Sequence, residues 1–142
     1  MKKITAFIMF ALFATAGLFA QDVTGKWKSI DDETGEAKSI IEIYKKDGKV
    51  YGKIVEILNK DRQDAKCTEC DGVNKDKPIL GMVIMNGLEK DGDEYDGGTI
   101  LDPQSGKVYK CLIELEEANK LKVRGYIGFS LLGRTQYWTR VQ

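Results

Sequence analysis

The sequence predicts an all-β protein, an up-and-down antiparallel β-barrel of about eight strands. Three observations lead there. Residues 23 to 142 alternate between apolar and polar side chains over short runs, with no sustained period of 3.6 residues. Turn signals recur at short intervals: Asp31-Asp32-Glu33-Thr34-Gly35, Asp47-Gly48, Asp91-Gly92, Asp102-Pro103-Gln104-Ser105-Gly106 and Ala118-Asn119. Tryptophan occurs only at Trp27 and Trp138, near the two ends of this region. In an even-numbered meander the first and last strands are antiparallel neighbours, and closure leaves no exposed edge. That arrangement sets Trp27 beside Arg140.

The elements follow in order. Residues 23–30 form the first strand, with Gly25, Trp27 and Ser29 on one face and Lys26 and Lys28 on the other. Residues 37–44 place Ser39, Ile41 and Ile43 inward. Asp47-Gly48 tolerates the positive φ that a tight hairpin needs. Residues 50–58 put Val50, Gly52, Ile54 and Leu58 inside. Glu56 falls on the same face, which calls for a barrel mouth or a bulge at Gly52.

Residues 59–78 are a long polar loop containing Cys67 and Cys70, with a short helix near residues 61–65. Residues 79–88, almost continuously apolar from Leu80 to Met85, read as a buried strand. Residues 94–101 follow, interrupted by Gly97-Gly98. Residues 107–116 turn Tyr109, Cys111, Ile113 and Leu115 inward, and residues 121–127 do the same with Leu121, Val123, Gly125 and Ile127. An apolar corner with Phe129, Leu131 and Leu132 leads into the last strand, residues 134–141.

Residues 1–20 carry the marks of a cleaved signal peptide. Lys2 and Lys3 precede an uncharged, largely apolar stretch that ends near Ala20. The expected organisation is therefore an export signal at 1–20 and one barrel domain at 21–142, with no stable membrane span after cleavage. The full chain has 22 basic and 22 acidic residues; without Lys2 and Lys3 the balance is 20 against 22, a net charge of about −2. No basic block remains to favour nucleic acid. Histidine is absent, which removes His-based acid–base catalysis and His metal ligation.

Gly25-Lys26-Trp27 together with Arg140 is similar to the lipocalin and calycin pattern, in which the tryptophan plugs one barrel end and a late arginine covers it. Thr24-Gly25-Lys26-Trp27 also looks like the start of the avidins. The tryptophan-lined biotin site of that family has no counterpart here, so biotin is not carried over. A broader resemblance covers nearly the whole mature chain. Gly25-Lys26-Trp27, the run from Asp47 to Ile54, Cys67-x-x-Cys70, Gly98-x-Ile100-Leu101-Asp102-Pro103-x-x-Gly106-Lys107-x-Tyr109, the run from Arg124 to Gly128, Gly133-Arg134-Thr135 and Trp138-Thr139-Arg140 resemble the exported bacterial family catalogued as domain of unknown function 2147. The resemblance implies a calycin-like barrel in a Gram-negative envelope, periplasmic or secreted, and implies no activity.

Several residues stand out as candidates. Gly25, Trp27, Trp138 and Arg140 are expected to close the barrel. Glu56, Tyr109, Arg134 and Gln136 are the polar groups that could orient a ligand within apolar walls. Cys67 and Cys70, in an exported polar loop, are expected to form a local disulfide. A redox motif would want a βαβ context, and zinc would want more ligands. Asp61, Asp64, Glu69, Asp71 and Asp76 have no EF-hand spacing and read as a solvated loop, so no metal is assigned. Cys111 points inward and has no base to activate it.

No catalytic residue or cofactor is assigned, and the chain is expected not to be an enzyme. The expected function is non-covalent binding of a small apolar ligand. The alternative is a barrel filled by its own side chains, whose apolar corner or long loop meets a protein partner in the envelope.

Overall fold

A computed structural model describes residues 22–128 and 132–142. The export-signal expectation at residues 1–20, and those for Phe129 and Leu131, lie outside the described residues. Eight antiparallel strands close into a barrel in which each strand pairs with its sequence neighbours and the first pairs with the last. They are β1 (Gly25–Ile30), β2 (Ala37–Lys46), β3 (Lys49–Ile57), β4 (Val83–Asp91), β5 (Glu94–Leu101), β6 (Val108–Glu117), β7 (Lys120–Tyr126) and β8 (Gly133–Arg140). Short 3-10 turns at Lys60–Arg62 and Gly72–Asn74 lie in the long β3–β4 connection.

Local chemistry explains the turns. Lys46 pairs with Lys49, leaving a two-residue hairpin loop in which Asp47 and Gly48 have φ of 52° and 79°. Positive φ at both central residues suits the right-handed twist of the flanking strands. The turns at Asp31 and Asp102 are built alike. In each, an Asp Oδ1 accepts from the amide two residues on, at 2.8 Å from Glu33 and 2.9 Å from Gln104. In each, a glycine four residues on, Gly35 or Gly106, has φ of 72° and donates its amide to the Asp carbonyl at 2.8 Å.

The hairpins β2–β3, β4–β5 and β6–β7 turn at one end of the barrel, together with both ends of the described chain. The connections β1–β2, β3–β4, β5–β6 and β7–β8 turn at the other. Trp27, Ile41, Ile43, Met85, Leu88, Ile113 and Leu121 are fully buried within this frame.

Two strand expectations are corrected. Glu56 is exposed on the outside of β3. Ile41 pairs with Ile54 but Ile40 pairs with Glu56, so one extra residue follows Ile54. That bulge reverses the inside–outside alternation, sending Glu56 out and Ile57 in, in place of Leu58. Pairing with β4 also shifts around Gly52, but that shift does not move Glu56.

The second correction concerns the apolar run before β4, which begins at Val83 rather than residue 79. Gly81, at φ 88°, donates to the Ile54 carbonyl, and Ile79 donates to the Ala65 carbonyl. The chain there folds back on the long loop, and Leu80 is 43% exposed. The helix expected near residues 61–65 is the shorter Lys60–Arg62 turn, capped by the Asn59 side chain, which accepts from the Asp61 amide at 3.0 Å.

Candidate functional site

The end carrying the chain termini is sealed. Trp27 is completely buried, and its indole N–H donates to the Val23 carbonyl at 2.8 Å. The Arg140 guanidinium lies 4.2 Å from the Trp27 ring centroid, a favourable placement for a cation on an aromatic face. It also donates to the carbonyls of Thr24 at 2.9 Å, Asp22 at 2.8 Å and Ala118 at 2.9 Å. Gly25 makes this approach feasible, because a Cβ there would sit 2.9 Å from Arg140 Nη1.

The Lys45 ammonium lies 2.5 Å from Asp22 Oδ2, and the Tyr95 hydroxyl donates to Asp22 Oδ1 at 3.2 Å. Partial burial would raise the Asp22 pKa, but these bonds and the Val23 amide outweigh it and hold the carboxyl below its ordinary value.

The opposite end opens into a cavity of about 830 Å³ that reaches into the barrel. Ile41, Ile54, Ile84, Ile100 and Val123 form its apolar walls, and Trp138 contributes an indole. Among the described residues, the side chains leave this part of the interior open. Residues of all four connections at that end, among them Asp31, Ala65, Pro103 and Leu132, form the mouth.

Three of the four expected ligand-orienting residues line this cavity: Tyr109, Arg134 and Gln136. Glu56 does not, because the bulge after Ile54 turns it away. Gly125 of β7 lies beside Tyr109; a Cβ there would make ordinary contacts with Tyr109 Cβ at 3.4 Å and Cγ at 3.6 Å. Of the residues expected to close the barrel, Gly25, Trp27 and Arg140 meet at the sealed end. Trp138 lies on the cavity wall instead.

The Trp138 indole donates to Gln136 Oε1 at 3.0 Å, and the Gln136 amide donates to Asp32 Oδ1 at 3.3 Å. Arg134 donates to both Asp32 oxygens, through Nε to Oδ2 at 3.0 Å and Nη2 to Oδ1 at 2.6 Å. Burial alone would raise the Asp32 pKa; the bonds from Arg134 and Gln136 outweigh it and keep the carboxyl below its usual value.

The sequence reading missed Asp32, which looked like one more turn residue. It also missed the pair formed by Ser29 and Ser39 on the cavity wall, whose hydroxyl oxygens are 2.8 Å apart. Both become visible only when β1 is set beside β2 and near β8.

Cys67 and Cys70 are joined in a buried disulfide, and their otherwise mostly exposed loop packs against the β5–β6 turn. Cys67 Sγ lies 3.3 Å from the Pro103 carbonyl, and Gly106 packs on the Glu69 carbonyl. Cys111 is the free cysteine among the described residues, and burial pushes its thiol up to about 12. A thiol with that pKa carries almost no thiolate at neutral pH. Mass spectrometry of unreduced, folded mature protein alkylated at pH 8 is therefore expected to show the Cys67–Cys70 bond intact and Cys111 unmodified. Two alkylated thiols at Cys67 and Cys70 would refute the disulfide.

Among the described residues no group of cysteine, aspartate and glutamate side chains is arranged to hold a metal ion. No described helix is long and apolar enough to cross a membrane.

A closed eight-strand meander with one sealed end and one open cavity, apolar within and polar at its mouth, is the architecture of a lipocalin-like barrel. It is similar to a solved structure titled "Protein HP1028 from the human pathogen Helicobacter pylori belongs to the lipocalin family", with a TM-score of 0.75 and 18% identity over 85% of this chain and 84% of that one. At that identity the likeness speaks for the fold alone. The chain belongs to the family described as "Uncharacterized protein conserved in bacteria (DUF2147)", whose model matches residues 25–140. No curated protein matches it.

Proposed function

We propose that this protein is a non-enzymatic carrier or sensor that binds a small, largely apolar molecule non-covalently inside its barrel, in the periplasm or outside the cell. The observation that carries the reading is the cavity of about 830 Å³, with isoleucine and valine walls and the Tyr109 side chain within it. Ligand cavities typically span about 300–1,000 Å³ and combine apolar walls with a few placed polar groups.

Among the described residues the Tyr109 hydroxyl makes no hydrogen bond, so it is available to a ligand as donor or acceptor. The Gln136 amide is held by Trp138 and Asp32 and so presents a fixed orientation. The absence of histidine from the sequence leaves no imidazole to activate a nucleophile, which supports a binding role over a catalytic one. Export is supported by the charged and apolar pattern of residues 1–20.

Native mass spectrometry of the protein taken from the periplasm is the direct test. A retained mass that disappears on denaturation is expected. Tyr109→Phe is expected to weaken retention by about 0.5–1.5 kcal/mol, the usual worth of one hydrogen bond. Protein that carries no ligand and binds no apolar fluorophore such as N-phenyl-1-naphthylamine would refute the reading.

A further inference from the structure

The barrel closes unevenly. At the sealed end β1 and β8 are joined by the Val141 amide donating to the Lys26 carbonyl at 2.9 Å and by the pairs Trp27–Arg140 and Lys28–Thr139. The β1–β8 ladder stops there, whereas β1 pairs with β2 along its whole length and β8 pairs with β7 from Gly133 to Thr139. Extending the β1–β8 register would set Ser29 opposite Trp138 and Asp31 opposite Gln136, but no such pairs form. Ser29 and Ile30 on one side of this seam, and Trp138, Gln136 and Arg134 on the other, all line the cavity.

Side chains replace the missing ladder. Asp32, in the turn that follows β1, receives both Arg134 bonds and the Gln136 amide, and Glu33 Oε1 lies 3.1 Å from Arg134 Nη2. Asp31 faces its own turn and Lys38, at 3.7 Å. Arg134 is 61% exposed, so this contact is bathed in solvent and open to screening.

The far side of the mouth is built differently. There the disulfide loop packs on the β5–β6 turn so closely that a Cβ on Gly106 would lie 1.9 Å from the Glu69 carbonyl oxygen. One side of the mouth is a disulfide-bonded loop packed on a turn, and the other is held by an exposed ion pair.

We propose that the unpaired part of the β1–β8 seam is the side of the mouth that widens to admit a ligand, and that the Asp32 carboxylate, bound across it to Arg134 and Gln136, is the latch that holds it narrow. The inference rests on the cavity being a ligand site and adds how that site is entered. Breaking the latch lowers the opening cost for a molecule going in or out alike, so it changes rates and leaves affinity nearly unaltered.

Stopped-flow fluorescence with N-phenyl-1-naphthylamine tests this. Asp32→Asn is expected to raise the association and dissociation rate constants together by about fivefold, as loss of an exposed charged contact allows, with Kd within about twofold. High salt is expected to speed the wild type towards the variant and to change Asp32→Asn much less, since only the Glu33–Arg134 contact is left there to screen. Arg134→Gln, which breaks the same latch from β8 and also alters the cavity lining, is expected to raise both rate constants, whatever it does to Kd. Glu89→Gln, which breaks the exposed Lys49–Glu89 pair remote from the seam, is expected to keep wild-type rates.

Wild-type rates in folded Asp32→Asn and Arg134→Gln would overturn the latch. If the wild type binds no fluorophore, the ligand reading fails separately. Hydrogen exchange then decides the latch: amides of residues 29–33 should exchange about fivefold faster in Asp32→Asn, and unchanged exchange would overturn it.

Discussion

Trp27→Ala is expected to lower the unfolding free energy by about 3–5 kcal/mol, the cost of truncating a core aromatic. Three losses combine. The indole fills the sealed end with no exposed surface, so its removal leaves a cavity. The Val23 carbonyl loses its donor from the indole N–H. Arg140 loses the ring face beneath its guanidinium, a contact worth about 0.5–2 kcal/mol in such settings. The damage should spread, because Arg140 also ties Asp22, Thr24 and Ala118 together. Thermal unfolding followed by circular dichroism should show a Tm lower by about 10–20 °C for a domain of this size. An unchanged Tm would show that the Trp–Arg stack does not support the barrel.

Gly106→Ala should be nearly as costly, at the other end. The φ of 72° at Gly106 is disfavoured for any residue with a Cβ. The new methyl would also fall 1.9 Å from the Glu69 carbonyl oxygen and 2.9 Å from the Cys70 amide nitrogen, both backbone atoms that cannot rotate aside. Backbone strain and overpacking together amount to about 2–5 kcal/mol.

Gly35 provides the contrast. It has the same φ in an equivalent turn, and a Cβ there would meet nothing within 4 Å. Gly35→Ala should therefore show the backbone cost alone, about 1–2 kcal/mol. Chemical denaturation of the two variants measures the difference. Equal losses would mean that the disulfide loop and the β5–β6 turn are not packed together.

Much of the barrel was legible in local pattern. β5 runs from Glu94 to Leu101, as its alternation and flanking turns predict, and the Asp47-Gly48 hairpin forms where its φ tolerance places it. The inward set Tyr109, Cys111 and Ile113 follows from period-two alternation alone, and Gly25, Trp27 and Arg140 converge because a closed meander leaves them no other neighbours.

Glu56 was misplaced because a bulge changes the inside–outside phase without changing residue type. The start of β4 was misplaced because an apolar run does not reveal that Gly81 will take positive φ and fold back on the loop. Trp138 was grouped with the sealed end, yet its position on β8 carries it to the cavity wall.

The amino-acid order determined the fold class, the strand sequence, the sealed tryptophan end and three of the polar residues that line the cavity, because alternation and turn chemistry act between near neighbours along the chain. Tertiary structure alone decided the volume left inside, the exclusion of Glu56 and the meeting of Asp32 with Arg134 and Gln136. Those depend on register between strands and on contacts between distant segments: one extra residue in β3 reverses the faces that follow it, and Asp32 meets Arg134 across 102 positions of the chain.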